Sequence, residues 1–309
     1  MTDSEPSSAG QPSRPGAPSH PGPVVDPGPV VDPGPVVGGA THDGAAATLD
    51  VTMVVPYYNP GPRLRVTVER MVKVLAGANV SFEVITVSDG STDGSDASLS
   101  GLPPEVVRRV VLDHNGGKGQ ALRVGLAMGR GRYLGFLDAD GDLPPELLEP
   151  FLALMTTQRP DIILGSKRHP LSSVHYPALR RMYSWGYQQL TRTLFHLTVA
   201  DTQVGLKLLD RALVAAVLPL MVEERFAFDL ELLVVARHLG YHRILEAPVR
   251  IEERFTSTIS PGAVFGMLVD TISIFWRLRV RHTYGRVGRG GGGPRQRGWR
   301  QRGSRRRGG

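Results

Sequence analysis

Three carboxylates lie close together at the end of one apolar run of the sequence. In the stretch GRYLGFLDADGDLPPELL, residues 131–148, Asp138, Asp140 and Asp142 follow a segment that is typical of a buried strand. Like charges at this spacing repel one another, so we expect a cation to hold them. Carboxylate oxygens beside a tight glycine turn suit a hard divalent ion, Mg²⁺ or Mn²⁺, which usually keeps water and substrate phosphates as further ligands. The spacing therefore predicts that Asp138, Asp140 and Asp142 hold a metal ion that bridges a diphosphate.

Polar side chains also follow three other predicted strands. They are Tyr58 and Asn59 after the first strand, Ser88 to Ser91 after the second, and Asn115 to Lys118 after the third. In α/β sheets, ligands bind beyond the carboxyl ends of the strands. We therefore expect these groups and Asp138 to converge on one polar site.

Two charged residues in this cluster have specific expected roles. Asp89 directly follows a buried strand and can accept hydrogen bonds from a ribose or a base edge, although the same turn can be a β-turn capped by Ser91 or Asp93. Lys118 follows a glycine turn that opens a helix, where the positive end of the helix dipole favours an anion. The alternative is an ordinary strand-to-helix turn with a solvated lysine. From the residues alone, Asp89 is therefore a candidate for contact with a ribose or base edge, and Lys118 is a candidate for an anion site.

A parallel sheet is the element that must position these residues. Short β-branched runs alternate with helical patterns along the chain, which favours a mostly parallel sheet with helices on both faces. A helix is predicted over 63–76, and another begins at Pro144 and Pro145, because proline is tolerated in a first helical turn. The predicted strands are 51–55, 82–88, 107–113, 132–138 and 161–166. The predicted fold class is therefore α/β.

Both ends of the chain differ in composition from the middle. Residues 1–47 are rich in proline and glycine and repeat the hexapeptide PGPVVD, so we expect a disordered arm. Residues 281–309 carry ten arginines, no acid and a run of glycines, and are expected to be a disordered tail. The tail contributes +10 and the arm −4 to the net charge of +7, so residues 48–280 are nearly neutral. Such a tail favours anionic lipid or nucleic acid, or acts only as a solubilising extension.

Residues 48–260 remain as one domain, followed by an apolar C-terminal segment. The stretch VFGMLVDTISIFWRLRV, residues 264–280, is too short to span a membrane and contains Asp270. We interpret residues 261–280 as an amphipathic membrane-surface helix with Trp276 at the headgroup level, the alternative being a helix packed on the core. The chain has no cysteine, which excludes disulfides and thiolate chemistry.

Six motifs, in order along the chain, resemble those of family 2 glycosyltransferases with the GT-A fold. They are VVPYYNP, VSDGSTDGS, HNGGKGQALRVGLAMGRGRYLGFLDAD, DTQVGLKLL, RFAFDLELL and PVRIEER, within residues 50–258. The most similar subgroup is the polyprenyl-phosphate sugar synthases, meaning dolichyl-phosphate β-glucosyltransferase and polyprenol-phosphate mannose synthase. The resemblance implies a GT-A sheet, a nucleotide-sugar donor and a lipid-phosphate acceptor.

The resemblance also implies roles for individual residues. Arg254 matches a late arginine that stabilises the departing diphosphate. Asp201 and Glu231 match acids near the site, which either orient the sugar or acceptor or are structural hydrogen-bonding groups. With Asp140 they form the predicted catalytic set. The predicted nucleotide-sugar-binding residues are Pro56, Tyr58, Val87, Asp89, Lys118, Asp138 and Ala139.

Four basic or hydroxyl residues are predicted to bind the acceptor phosphate: Lys167, Arg168, Arg180 and Ser184. On a helix, the spacing of Arg180 and Ser184 puts them on one face. A guanidinium and a hydroxyl together suit a phosphate monoester, and the resemblance implies that these positions hold a lipid phosphate. The alternative is a basic surface helix.

Together these patterns predict an inverting, metal-dependent hexosyltransferase that moves a monosaccharide from a nucleotide sugar to polyprenyl phosphate. A UDP-sugar is favoured over GDP-mannose. A phosphate acceptor is already largely dianionic at neutral pH, since its second pKa is about 6, so no general base is required. We expect a peripheral enzyme at the cytoplasmic face of a membrane, with a small membrane protein as a candidate partner.

Two other functions stay open at the level of sequence. A family 2 enzyme that acts on a cell-envelope glycan would need a general base, for which Asp229 or Glu231 would have to serve. A nucleic-acid-binding protein driven by the arginine tail is the least favoured, because the core is neutral and aromatic residues are sparse in the tail.

Overall fold

Strands and helices alternate along the chain in the computed structural model, which describes residues 47–172, 178–251 and 261–285. The strands are β1 Leu49–Tyr57, β2 Phe82–Ser88, β3 Val107–Val111, β4 Gly131–Leu137, β5 Ile162–Ser166, β6 Leu206–Asp210 and β7 Ile244–Pro248. The helices are α1 Arg63–Gly77, α2 Ser95–Ser98, α3 Lys118–Met128, α4 Leu148–Gln158, α5 Ala178–Phe195, α6 Arg211–Val217, α7 Phe228–His238 and α8 Pro261–Trp276, which a π-helical turn, Arg277–Arg281, extends. The predicted arm and nearly all of the predicted tail lie outside the described residues.

The sheet is mixed, and a reversed strand brings the loop before it to the edge where the parallel strands end. Its order is β3-β2-β1-β4-β6-β5-β7. Of these described strands, β6 alone is reversed, running antiparallel to both β4 and β5. Leu206, the first residue of β6, therefore pairs with Leu137, the last residue of β4. The segment before β6 thus lies at the same edge of the sheet as the carboxyl ends of the parallel strands.

The α/β fold predicted from the sequence is confirmed, with a mostly parallel sheet and helices on both faces. Two strands were not predicted. Lys207 interrupts the apolar pattern of β6, and Glu246 and Pro248 interrupt that of β7. Neither segment therefore stands out as a strand in the sequence.

Alternation along the strands divides the core between the two faces of the sheet. Val54 of β1 packs into one cluster with residues of α3, α6 and α7. Its neighbours Met53 and Val55 pack into a second cluster with residues of α1 and α4. Gly125 of α3 is needed for the first contact, because a Cβ at this position would lie 2.4 Å from Cγ1 of Val54. This close approach sets the position of α3 on the sheet.

The C-terminal helix packs on this domain through one of its faces. Thr271 and Ile274 of α8 are fully buried, and Tyr187 of α5 lies 3.1 Å from Thr271, hydroxyl to hydroxyl. Within the described residues, no helix combines the length and the apolar character that crossing a membrane requires.

A buried carboxylate joins the starts of three strands at the opposite edge of the sheet. Glu83 has no exposed surface and accepts hydrogen bonds from Thr52 Oγ1 at 2.9 Å, from the Arg130 amide at 2.8 Å, and from the guanidinium groups of Arg130 and Arg108. Burial would raise the pKa of Glu83, but these hydrogen bonds outweigh it and hold the pKa below its usual range. Glu83 therefore stabilises the folded protein as an anion.

We expect Glu83→Gln to lower the free energy of unfolding at pH 7 by about 2 kcal/mol, because it removes the charged acceptor of several hydrogen bonds. The folded pKa lies below the unfolded one, so this stabilisation is present above the unfolded pKa of about 4.3 and is lost as the pH falls through the folded pKa. Urea unfolding at several pH values should show the difference between wild type and variant shrink towards low pH. Glu69→Gln, at a half-exposed partner of Arg65, is the control and should cost no more than about 0.5 kcal/mol. Equal effects of the two substitutions would contradict the assignment.

Candidate functional site

The loops that follow β1 and β2 are joined to each other by hydrogen bonds. Asn59 Oδ1 accepts the amide of Thr92 at 2.8 Å, and the Asn59 amide donates to Ser91 Oγ at 3.1 Å. Asp93 accepts the amides of Gly61 and Ser95, at 2.9 and 3.0 Å. Ser91 and Asp93 therefore accept free backbone amides, as considered, but the N-cap of α2 is Gly94, without a side-chain cap. Tyr58, on the first of these loops, is half exposed.

Asp89 supports the next loop from inside. It is 3% exposed, and its two carboxylate oxygens accept the amides of Gly116 and Gly117 at 2.9 and 2.8 Å. Gly117 has φ +106°, a conformation that only glycine adopts readily. Asp89 thus holds the β3–α3 turn that carries Lys118, a role that its position in the sequence did not indicate. Its predicted contact with a nucleotide stays a prediction.

Lys118 is the cation that holds the first of the three clustered carboxylates. Its ammonium nitrogen lies 2.7 Å from Oδ1 of Asp138 and 3.5 Å from Oδ2 of Asp229 on α7. Asp229 in turn pairs with Lys207 of β6, which is fully buried and also donates to the carbonyl of Val204 at 2.8 Å. Two lysines and two aspartates therefore alternate in one buried network that joins α3, β4, α7 and β6.

The network shifts the pKa values of its members in different directions. Burial would lower the pKa of Lys118, but Asp138 and Asp229 raise it above its ordinary value. Burial would raise the pKa of Asp229, but Lys118 and Lys207 outweigh that effect and lower it. Burial raises the pKa of Asp138 more than Lys118 lowers it, and the charge of Asp140 adds to the rise. Asp138 is thus the carboxylate whose charge is least compensated.

Asp140 and Asp142 do not join Asp138 in a preformed three-carboxylate cage. Across residues 47–172, 178–251 and 261–285, no three His, Asp or Glu side chains are grouped so that they could hold a metal ion. Asp140 is exposed, and its Oδ1 accepts the amide of Asp142 at 3.1 Å across the turn at Gly141, where φ is +78°. These carboxylates fit a divalent ion that has one or two protein ligands. Mg²⁺ commonly completes such a coordination shell with water and phosphate oxygens.

The segment before β6 lies directly against Asp138. The amide of Asp138 donates to the carbonyl of Gly205 at 3.0 Å, and a Cβ at Gly205 would lie 1.9 Å from Oδ2 of Asp138. A glycine at 205 is therefore required if the carboxylate is to keep its position. Asp201, in the same segment, accepts the amides of Lys167 and Gln203 at 3.4 and 3.2 Å. These bonds join the end of β5 to the start of β6.

Polar atoms without a partner occur beside this junction. Ser166 Oγ, Arg168 Nη1 and Gln203 Nε2 are buried and make no hydrogen bond within the described residues. Buried polar atoms are normally paired, so such groups often await a ligand or water. Ser184 is exposed on α5. Arg180 lies on the same helix, but its side chain, like all of Arg254, lies outside what the structure describes.

Glu231 is bound on all sides by structural partners. Its Oε2 accepts the amides of Val222 and Glu223 at 2.9 and 2.7 Å, and its Oε1 accepts the hydroxyl of Tyr284 at 2.6 Å. Of the two roles considered for Glu231, this geometry favours the structural one. Its catalytic role stays a prediction, and both oxygens already join α7 to the segments at 222–223 and 284.

The remaining predicted contacts are buried in or beside the strands. Val87 has no exposed surface, and its side chain packs in the core. Pro56 pairs with Val87 in the β1–β2 ladder and is also buried. Ala139 is 5% exposed. A contact from Val87 to a nucleotide could therefore come only from its backbone.

Sequence reasoning missed the supporting residues Lys207 and Gly205, and it considered Asp229 only as a general base. A signal was present, since Lys207 and Asp229 are charges inside apolar runs, and such charges are almost never buried unless they are paired. The sequence could not show that the two pair with each other and with Lys118.

Comparison with known proteins gives consistent matches. The sequence model of Glycosyl transferase family 2 matches residues 52–218. Dolichyl-phosphate beta-glucosyltransferase of Drosophila melanogaster is 33% identical over 230 residues, which cover 69% of this chain and 70% of that protein. The protein of the same name from Dictyostelium discoideum is 28% identical over 250 residues, covering 76% and 75%.

A solved structure with the same fold is glucosyl-3-phosphoglycerate synthase from Mycobacterium tuberculosis, in complex with Mn²⁺, uridine diphosphate and phosphoglyceric acid. The TM-score is 0.58 at 18% identity, and the match covers 78% of this chain and 80% of that one. This likeness concerns the fold, which is GT-A.

We expect Lys118→Met to lower the free energy of unfolding by about 3 kcal/mol, because it leaves buried carboxylates without their cation. Urea unfolding measures the loss. Lys73→Met, at an exposed lysine of α1, is the matched control and should change the free energy by less than about 0.5 kcal/mol. Adding Asp138→Asn to Lys118→Met should cost less than the sum of the single changes. Strict additivity would show that the two side chains do not interact.

Proposed function

The chain belongs to glycosyl transferase family 2, and from that membership we propose that it transfers a hexose from a nucleotide sugar to the phosphate of a polyprenyl lipid. The relatives named dolichyl-phosphate beta-glucosyltransferase support glucose as the sugar. Similarity to these glucosyl enzymes favours a UDP-sugar, with GDP-mannose as the competing donor. We place the reaction at the cytoplasmic face of a membrane, where nucleotide sugars are made.

The state of the two candidate general bases is the observation that carries this proposal. A hydroxyl acceptor would need Asp229 or Glu231 to remove its proton. Asp229 is held between two lysines that keep its pKa low, and Glu231 already accepts three hydrogen bonds. A phosphate monoester, with its second pKa near 6, needs no base. The arrangement therefore favours a phosphate acceptor over a glycan hydroxyl.

The acceptor side offers donors that fit a phosphate. Ser166 and Arg168 each have a buried polar atom without a partner at the end of β5. The positive charge of Lys167 acts on Asp140, which supports an acceptor loop close to the donor carboxylates. We propose that Lys167, Arg168, Arg180 and Ser184 bind the lipid phosphate, and that Ser166 adds a hydroxyl to this set.

The donor side is the edge that carries Asp138, Asp140 and Lys118. These residues would bind the diphosphate of the nucleotide sugar, and a Mg²⁺ or Mn²⁺ ion held by the two aspartates would neutralise its developing charge. Arg254 is proposed to stabilise the same leaving group. The phosphate oxygen forms a bond to the anomeric carbon while the bond to the diphosphate breaks on the opposite face. An α-linked donor would thereby give a β-linked lipid sugar.

The full chain should label a short polyprenyl phosphate when it is incubated with radiolabelled UDP-glucose, and more slowly or not at all with UDP-N-acetylglucosamine or GDP-mannose. Label that is extractable into organic solvent measures the product. Boiled enzyme and omission of the lipid phosphate are the controls.

A different donor or a glycan acceptor would give other results in this assay. If extractable label appears only with GDP-mannose, the donor is GDP-mannose and the UDP-sugar assignment is wrong. Label that appears only in a polymeric, non-extractable fraction would assign a glycan acceptor and reject the lipid phosphate.

We expect Asp140→Asn to reduce turnover by roughly 100-fold or more, the scale of losing a group that stabilises developing charge. Isothermal titration should show weaker UDP binding with Mn²⁺ but unchanged binding in EDTA. Asp140 is the sharper test than Asp138, whose replacement also disturbs Lys118. Asp142→Asn is the matched control, and turnover should stay within about fivefold, because one or two carboxylates suffice for such an ion. Equal losses of turnover in both variants would instead support a metal site made of all three carboxylates.

A further inference from the structure

An unpartnered apolar stripe runs along the outer face of α8. It consists of six side chains that are 36–69% exposed and follow helical spacing: Phe265, Leu268, Val269, Ile272, Trp276 and Val280. The buried residues Thr271 and Ile274 lie on the opposite face. Contiguous exposed apolar surface of this kind marks an interaction site more often than isolated exposed residues do. We call these six residues the α8 stripe.

Positive charge surrounds the end of the α8 stripe. Arg279 and Arg281 are exposed in the turn that extends α8. The described chain ends at Gly285, and the remaining residues, 286–309, carry nine arginines and no acid. An apolar stripe that continues into concentrated positive charge complements an anionic lipid surface.

An ionic brace connects α8 to the segment at 221–226. Arg277 pairs with Glu223, and its other terminal nitrogen lies 3.9 Å from Glu231. Glu231 accepts the amides of Val222 and Glu223, and the hydroxyl of Tyr284. Glu223 and Arg277 of the brace and Ile272 and Trp276 of the stripe line one cleft. Arg277 therefore joins α8 to this segment through its ion pair with Glu223, while Glu231 binds the backbone of the same segment.

The same segment covers the turn of the donor site. The carbonyl of Glu224 accepts the amide of Gln120 at 3.0 Å. A Cβ at Gly117 would lie 2.6 Å from that carbonyl oxygen, and one at Gly119 would lie 2.7 Å from the carbonyl carbon. The backbone of 223–225 thus packs against the residues on either side of Lys118. A displacement of this segment cannot leave the turn unchanged.

Two more apolar side chains lie on the covering segment itself. Val222 is 47% exposed and Phe226 is 72% exposed. The lining of the cleft places Glu223 beside Ile272 and Trp276 of the stripe. The covering segment therefore stands at the border between the α8 stripe and the donor turn.

We propose that the α8 stripe lies on an anionic bilayer and that the brace from Arg277 to Glu223 and Glu231 couples this contact to nucleotide binding at the β3–α3 turn. The inference rests on the proposed function, because a lipid acceptor places the enzyme at a membrane. In this scheme, lipid contact fixes the position of α8, and the brace then fixes segment 221–226. The conformation of the turn that carries Lys118 is thereby restricted before the nucleotide binds. Arg277 is a positioning residue in this scheme and does not contact the substrate.

The test is the affinity of the full chain for UDP with Mn²⁺, measured by titration calorimetry without vesicles, with phosphatidylcholine vesicles, and with vesicles containing phosphatidylglycerol. We expect anionic vesicles alone to tighten UDP binding about fivefold, at the lower end of ordinary allosteric coupling. Coupling is reciprocal, so saturating UDP should tighten vesicle binding, measured by sedimentation, by the same factor.

Four variants, one of them a control, separate the stripe from the brace. Ile272→Ser with Trp276→Ser should abolish vesicle binding and leave UDP affinity in solution unchanged. Arg277→Gln should still bind vesicles but lose the tightening of UDP binding. Arg279→Gln, at an exposed arginine in the same turn, is the matched control and should keep the coupling factor. Glu223→Gln removes the carboxylate that pairs with Arg277 and should have the same effect as Arg277→Gln. Thermal unfolding reports whether each variant is folded.

Several outcomes would overturn the inference. The inference is wrong if anionic vesicles do not change the affinity for UDP, or if UDP does not bind under any condition. It is also wrong if the coupling persists in both Arg277→Gln and Glu223→Gln while these variants are folded. Vesicle binding that survives loss of the stripe would assign lipid contact elsewhere, and a dimer that dissociates in the stripe variant would assign the surface to a second copy of the chain. The readout does not involve sugar transfer, so failure of the proposed reaction with retained coupling would reject only the reaction.

Discussion

The ion pair between Lys118 and Asp138 is the interaction on which the candidate site depends. Charges taken out of water are costly unless they are paired, so the lysine at the start of α3 must meet the carboxylate at the end of β4. Asp229 and Lys207 extend the pairing to α7 and β6. The network therefore fixes four elements relative to one another. It also explains how carboxylates that repel one another can stand at the end of a buried strand.

The reversed strand β6 is the second constraint, because it brings residues distant in sequence to the edge where the parallel strands end. The segment at 201–205 reaches Asp138 through Gly205 and reaches the end of β5 through Asp201. A side chain at 205 would occupy the space of the Asp138 carboxylate. Donor and acceptor sides of the proposed reaction thus meet at one junction, and its geometry depends on a residue that has no side chain.

Several acids that the sequence offers as site residues have structural partners in the fold. Asp89 holds the β3–α3 turn, Asp229 neutralises two lysines, and Glu231 joins α7 to the covering segment. Among the described residues, the carboxylate of Asp140 is exposed, and polar atoms without hydrogen-bond partners lie near β5. This division suits a reaction in which the nucleophile arrives already charged, and in which the protein contributes position and charge compensation.

The sequence by itself determined the α/β fold, the strands β1 to β5 and the polar edge, because β-branched runs, glycine turns and clustered carboxylates act through local geometry. It left open β6 and β7, whose patterns Lys207 and Pro248 interrupt. Tertiary structure alone decided which charges pair, since Lys118, Asp138 and Asp229 lie far apart along the chain. Pairing of buried charges depends on distance in space, and the role of each carboxylate follows from the partner that folding brings to it.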